Sequence, residues 1–348
     1  MLFSRLCRII VCTVLAFGLT HAALAAAKKK SGAAEGTYRG FIAMDAATGK
    51  VLLEEHSNEV TPPASMTKLM TYAVLSDKLR QETLTLETKV IVDADDSRIG
   101  GTQVYLKEKE EFTVEDLIYA MMIQSANDAA HALARTASGS VRVFVDEMNA
   151  KARELGMTQT TFRTPHGLPP SDRQAASGDL TTPRDFALLA RHLLTKTDVL
   201  KYTSVRSWKF GEGKRPSTSV IAMDNHNKLL GKVNGVDGLK TGYTKGAGYC
   251  LAATAQRNGR RVIVVIMGAF GPNGEIDKGR SRDLKTIEIL ERGFASIPPT
   301  DPTFVAAASS NGKPASPSPL APVTPAPGTP ASTPVKAPGE PVIRLNLR

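Results

Sequence analysis

At 348 residues, 42% of them hydrophobic, the chain can bury a substantial core, which excludes disorder throughout. Its formal net charge of +10 comes from basic residues spread along the chain, which suits solubility and attraction to an anionic envelope and argues against a nucleic-acid partner. Three cysteines, Cys7, Cys12 and Cys250, leave no disulfide once an amino-terminal leader is removed.

The chain opens with Arg5 and Arg8, continues with an apolar run from Ile9 to Leu19, and reaches the small residues Ala23-Leu24-Ala25. This pattern predicts a secretory signal peptide over residues 1–27, cleaved near Ala25 to Ala27, and a periplasmic or cell-envelope protein. The apolar run is short for a bilayer span, and no cysteine sits where a lipid-modified terminus needs one, so no firm membrane anchor is expected. Cys250, within Tyr249-Cys250-Leu251-Ala252-Ala253, reads as a packing residue.

Residues 28–297 read as one catalytic domain without repeat or linker. Tyr38–Met44 and Val51–Glu55 flank Ala47-Thr48-Gly49-Lys50 as a hairpin would. Pro62-Pro63 precede Ala64-Ser65-Met66-Thr67-Lys68, where Met66, Leu69, Met70 and Ala73 form the apolar stripe of an amphipathic helix. Helices are predicted from Thr113 through Arg135, from Val141 to Leu155, and from Pro183 to Leu194, the last opened by Thr181-Thr182-Pro183. Lys240-Thr241-Gly242 stands just before the final strands, Gly248–Gln256 and Arg261–Met267, which are joined through Asn258-Gly259. A helix over Lys278–Phe294, with Leu284, Ile287 and Leu290 at helical spacing, ends the body. Strands at both ends around a helical insert predict an α+β fold with a mainly antiparallel sheet. Beyond Ile297, 13 of the 21 prolines fall among Ala, Ser and Thr, so residues 298–348 read as a disordered tail.

Ser65 and Lys68 are three apart at a helix start, so the lysine nitrogen can reach the hydroxyl while the helix dipole favours developing negative charge. Ser-x-x-Lys by itself is weak evidence: Ser310-Asn311-Gly312-Lys313 in the tail also matches, without structure to hold its geometry. Ser125-Ala126-Asn127 could be ordinary polar positions in a helix, and Lys240-Thr241-Gly242 a surface turn. Three elements in order, Ser-x-x-Lys, Ser-x-Asn and Lys-Thr-Gly, form the motif set of active-site serine penicillin-recognising enzymes.

From Gly36 to Phe294 the sequence resembles the low-molecular-weight penicillin-binding proteins of the serine D-alanyl-D-alanine carboxypeptidase family, peptidase family S11. Pro63–Thr71, Ser125–Ala130, Thr164-Pro165-His166-Gly167-Leu168 and Asp237–Thr244 carry the likeness. The resemblance implies a β-lactamase/transpeptidase-like fold, a five-stranded sheet flanked by helices. It implies Ser65 as nucleophile, Lys68 as its base and Ser125 as proton relay. Asn127, Lys240, Thr241, Gly242 and Tyr243 would bind substrate, with the Ser65 and Tyr243 N–H groups as an oxyanion hole. Expected partners are peptidoglycan stem peptides and, as covalent inhibitors, β-lactams; no cofactor and no metal are called for, since His56, His131, His166, His192 and His226 lack paired ligand spacing. His166 reads as a loop brace. A D,D-endopeptidase uses the same residues, and a non-catalytic wall-binding or drug-sensing module would keep the fold. A β-lactamase would need a well-placed carboxylate for deacylating water, and the sequence offers no convincing Glu-x-x-x-Asn loop of that type.

Overall fold

A computed structural model describes residues 36–172 and 174–297. The expected signal peptide (1–27), residues 28–35 and the Pro-rich tail (298–348), with its second Ser-x-x-Lys, lie outside the described residues.

The first hairpin forms as expected from β1 (Gly40–Asp45) and β2 (Val51–Glu55). The Asp45 carboxylate closes it by accepting from the Thr48 N–H and hydroxyl, a side-chain-stabilised turn. Two small pairs follow, β3 (Lys89–Ile91) with β4 (Glu111–Thr113) and β5 (Ser207–Phe210) with β6 (Ile221–Asp224). The last three strands are β7 (Val236–Thr244), β8 (Gly248–Arg257) and β9 (Arg260–Ala269). The main sheet runs β2-β1-β9-β8-β7, antiparallel throughout, so β1 from one end of the body lies against β9 from the other.

Alternation along these strands sends two sets of side chains to opposite faces. Ile42, Met44, Ile263 and Val265 join the larger core beneath the helical insert. That insert contains α1 (Lys68–Arg80), α2 (Asn127–Ser138), α3 (Val141–Glu154) and α4 (Pro183–Lys196). Phe41, Val262, Val264 and Ile266 pack the other way against Ile289, Leu290 and Phe294 of α5 (Arg280–Ala295). The fold is thus α+β, with a five-stranded sheet built from both ends of the body and helices on both faces. Among the described residues no helix is long and apolar enough to cross a membrane.

Four local expectations are corrected. Lys240-Thr241-Gly242 is not a segment before the terminal strands; it lies inside β7, the edge strand, and it escapes an apolar-alternation reading because Thr241 borders the cleft while the polar Lys240 is buried beneath it. The helix expected over 113–135 is broken: Val114–Tyr119 is helical, Ala120–Gln124 forms a π-turn, and α2 starts at Asn127. α1 is no amphipathic surface helix, because Lys68 through Leu75 are all buried. In α5, Leu284 is 57% exposed, and the inward face is set by Thr286, Ile289, Leu290 and Phe294.

Candidate active site

Ser65 sits in a single 3-10 turn, Ala64–Thr67, that feeds directly into α1, so Lys68 is the helix's first residue. Lys68 is fully buried, and its Nζ lies 3.1 Å from Ser65 Oγ, 2.7 Å from Asn127 Oδ1 and 2.7 Å from the His166 carbonyl oxygen. Burial, then the nearby charge of Lys240, hold its pKa well below the lysine range, against the opposing pull of Asp179 and Asp128. A neutral amine fits these neighbours: two N–H groups for Asn127 and His166, and one lone pair to accept the Ser65 hydroxyl proton. The serine is thereby placed for activation as a nucleophile.

Each neighbour of Lys68 is held in turn. Asn127 opens α2; its backbone N–H donates to the Thr102 carbonyl at 2.8 Å and its Nδ2 to the Gly100 carbonyl at 2.9 Å. The next residue, Asp128, accepts from the N–H groups of Val104 and Leu106, so the start of α2 organises the 100–106 loop. The His166 carbonyl is fixed because the Thr71 hydroxyl donates to the Pro165 carbonyl and the Asp179 carboxylate gathers the Arg163 and Thr164 N–H groups with the Thr67 and Thr164 hydroxyls. Gly167 has φ +82°, and a Cβ there would lie 2.0 Å from the Ala64 carbonyl oxygen, so only glycine lets this loop meet the serine turn. The His166 ring is buried and its pKa is lowered to about 3 by burial and by Lys68. It stays neutral and accepts from the Leu168 N–H at 3.2 Å, as a loop brace would.

Ser125 occupies the left-handed region, φ +66°, between the π-turn and α2. That reversal ends one helix and starts the next, and it sets Ser125 in a cleft shared with Ser65, Thr102, Thr241, Gly242 and Tyr243. Gly242 permits this approach, since a Cβ on it would lie 2.6 Å from the Pro63 carbonyl oxygen and 3.2 Å from the Met66 nitrogen. Lys240 is 2% exposed, donates to the Thr241 carbonyl at 3.2 Å, and has its pKa lowered to about 7 by burial and by Arg282. Tyr243 is 39% exposed and stacks on Tyr249 with ring centroids 4.2 Å apart. Every residue singled out for the site from sequence therefore borders one cleft or touches Lys68, apart from Lys240, which lies beneath it and acts on Lys68 through its charge.

Besides Asp179, sequence reasoning missed several residues of the cleft. Arg282 reaches the cleft from α5, with its guanidinium held by Asp283 and the Cys250 carbonyl. Lys228 and Lys278 line the same cleft, as does His226, whose pKa burial and Lys240 lower to about 4. His226 therefore stays neutral, and Arg282, Lys228 and Lys278 outnumber the cleft's one carboxylate, Asp224, which suits a carboxylate-bearing ligand. Nothing in Arg280-Ser281-Arg282 distinguishes an inward arginine from a solvated one before α5 is docked. Among the described residues, no cluster of three or more His, Cys, Asp and Glu side chains is arranged to hold a metal ion.

Solved structures define the class first. Penicillin-Binding Protein D2 from Listeria monocytogenes, in its ampicillin-bound form, superposes with a TM-score of 0.62 at 32% identity, over 74% of this chain and 97% of that one. The fold is that of the β-lactamase/transpeptidase-like penicillin-binding proteins. Residues 26–271 match the peptidase family S11 model, D-alanyl-D-alanine carboxypeptidase, and the chain belongs to that family. D-alanyl-D-alanine carboxypeptidase DacF of Bacillus subtilis is 35% identical over 248 residues, covering 71% of this chain and 60% of that protein. A D-alanyl-D-alanine endopeptidase of Haemophilus influenzae is 31% identical over 214 residues, covering 61% of this chain and 68% of that protein.

Proposed function

We propose that the protein is an exported serine-type D-alanyl-D-alanine carboxypeptidase that trims peptidoglycan stem peptides through an acyl-enzyme on Ser65. The observation that carries the reading is the buried Lys68, depressed in pKa and 3.1 Å from Ser65 Oγ. Ser65 Oγ attacks the penultimate D-Ala carbonyl carbon as its proton passes to Lys68 Nζ. Backbone N–H groups of Ser65 and Tyr243 take the oxyanion, each donor worth on the order of 10²–10³ in rate. The C–N bond then breaks, Ser125 relays a proton to the leaving amine, and terminal D-Ala departs; water hydrolyses the ester. Asn127 holds a substrate amide and orients Lys68. Lys240 and Thr241 receive the substrate's terminal carboxylate, with Arg282 adding charge.

Slow deacylation fits the surroundings, since the nearby carboxylates Asp128 and Asp179 are buried and already accept several hydrogen bonds each. β-Lactams therefore act as lasting covalent inhibitors. Residues 1–27 direct export, 28–297 form the catalytic domain, and 298–348 follow as a Pro-rich extension.

Product analysis of the mature protein with a muramyl pentapeptide and with a crosslinked muropeptide dimer tests the reading. D-Ala release from the pentapeptide, slowed about 10⁴-fold or more in Ser65→Ala, supports it. Faster cleavage of the crosslink makes the protein an endopeptidase. Binding without cleavage makes it a wall-binding module.

A further inference from the structure

Among the described residues three aromatic side chains are exposed, Tyr105, Trp208 and Tyr243, and all three stand in or beside the catalytic cleft, whereas the other exposed large apolar side chains are aliphatic. Tyr243 lines the cleft itself. Trp208 lines a groove of about 550 Å³ on the β5–β6 hairpin, and Asp224 belongs to both groove and cleft, so the two are continuous. Tyr105 follows Thr102 of the cleft by three residues, at most about 11 Å of chain. The side chains of Tyr105 and Trp208 have no part in the catalytic steps.

Both rings are held in place. The Trp208 indole lies flat on Tyr119, with centroids 4.2 Å apart and planes 4° from parallel. Tyr105 has φ +51°, a left-handed conformation unfavourable for any residue with a Cβ. Four hydrogen bonds enforce it: the Asp128 carboxylate accepts from the Val104 and Leu106 N–H groups, and Arg215 donates to the Val104 and Tyr105 carbonyls. Val104 and Leu106 are buried, while the ring between them is 67% exposed. Backbone strain maintained around an outward-facing phenol points to a contact surface. A ring already fixed loses little entropy when a ligand covers it.

The polar groups of the groove narrow the ligand. Lys214 pairs with Asp116 and Lys209 with Glu212. The Asp224 carboxylate and the Ser207 hydroxyl, neighbours across the hairpin, have no side-chain partner among the described residues. A free carboxylate and hydroxyl suit hydroxyl and amide donors, and the groove's unpaired charge is negative, which disfavours an anionic lipid surface. Rigid aromatic faces near such acceptors fit pyranose rings, whose C–H faces are apolar and whose edges carry hydroxyls.

We infer that Trp208 and Tyr105 form a docking surface for the N-acetylated glycan strand of the wall polymer, holding it beside the cleft in which stem peptides are cut. The benefit to cleavage rests on the proposed function, whereas sugar binding does not depend on turnover.

Trp208 is the chain's one tryptophan, so its fluorescence reports the contact directly. An N-acetylglucosamine hexamer titrated into the mature Ser65→Ala protein is expected to give a saturable change in tryptophan emission. Adding Tyr105→Asn, a residue that tolerates the left-handed backbone, is expected to weaken that affinity about two- to tenfold, the range of one lost aromatic contact. With Ser65 intact, Trp208→Thr should slow D-Ala release from polymeric peptidoglycan by a similar factor and leave penicillin acylation at the wild-type rate, and Trp208→Phe should restore most of the loss. No saturable change at millimolar sugar, emission that responds only to phosphatidylglycerol vesicles, or a Trp208→Thr protein whose penicillin acylation falls as far as its polymer cleavage overturns the surface. Saturable sugar binding by a protein that releases D-Ala from no peptide leaves the surface standing and removes the proposed function instead.

Discussion

A neutral Lys68 has two N–H bonds and a lone pair, and its three partners at 2.7, 2.7 and 3.1 Å use all of them. Protonation would put a third donor against Ser65 and remove the lone pair that takes its proton. Acylation should therefore rise with pH as Lys68 loses its proton, and fall as Lys240, lowered to about 7, loses the charge that receives a carboxylate. The pair titrates as coupled groups, so the measured limbs belong to both. In Lys240→Arg the guanidinium stays charged and the alkaline limb should disappear. In Lys240→Met one cation beside Lys68 is lost, its pKa rises, and the acid limb should move to higher pH. Penicillin acylation rates between pH 5 and 10 check both; profiles identical to wild type would contradict this electrostatic account.

At this scale Ser65, Lys68, Ser125, Asn127 and Lys240 were legible in the sequence because short motifs fix residue type and spacing. Arg282, His226 and Asp179 were not, because each reaches the site from an element whose docking no local pattern encodes. Gly167 could have been noticed within Thr164–Leu168, but the contact that demands glycine, with the Ala64 carbonyl, spans about a hundred residues of chain.

Among the elements, the hairpins were legible from turn residues and strand runs, whereas the break at Ser125 was hidden. Thr113–Arg135 keeps helical composition throughout, and the reversal depends on tertiary contacts: the Asn127 N–H bonds to Thr102 and the Asp128 carboxylate takes the N–H groups of Val104 and Leu106. The 100–106 loop is gripped from its other side by Arg215, which donates to the Val104 carbonyl at 2.8 Å and the Tyr105 carbonyl at 3.0 Å while paired with Glu110. Its guanidinium also lies 5.1 Å from the Phe112 ring centroid and 5.0 Å from that of Phe210. Arg215 thus positions the carbonyls that hold Asn127, and so Lys68. Arg215→Ala should slow penicillin acylation about tenfold or more, the scale of a small misplacement of reacting groups. Arg215→Lys should restore it only in part, since an ammonium cannot make the forked contacts. Stopped-flow acylation at a temperature where circular dichroism shows both variants folded is the check; wild-type rates would contradict the role.

For the whole molecule, pairing β1 with β9 brings the two ends of the body together, and this order was legible from strands at each end flanking helices. It places the Ser65 turn beside β7, across about 175 residues of intervening chain. Both faces of the sheet are covered, so β8 and β9 are buried along most of their length and lose the clean alternation that marks a half-exposed strand. The inward face of α5 was misread for a related reason: Leu284 satisfies the helical period yet faces out, and the sheet decides which stripe docks.

On the proposed function, Ser65 is a nucleophile whose acyl-enzyme is slow to hydrolyse. Intact-mass spectrometry of the mature protein mixed with a penicillin, followed over time beside Ser65→Ala, tests it most directly. A single adduct should persist for many minutes on the wild-type chain and be missing from the variant. No adduct on the wild-type chain, an adduct that also forms on Ser65→Ala, or one released within seconds would contradict it.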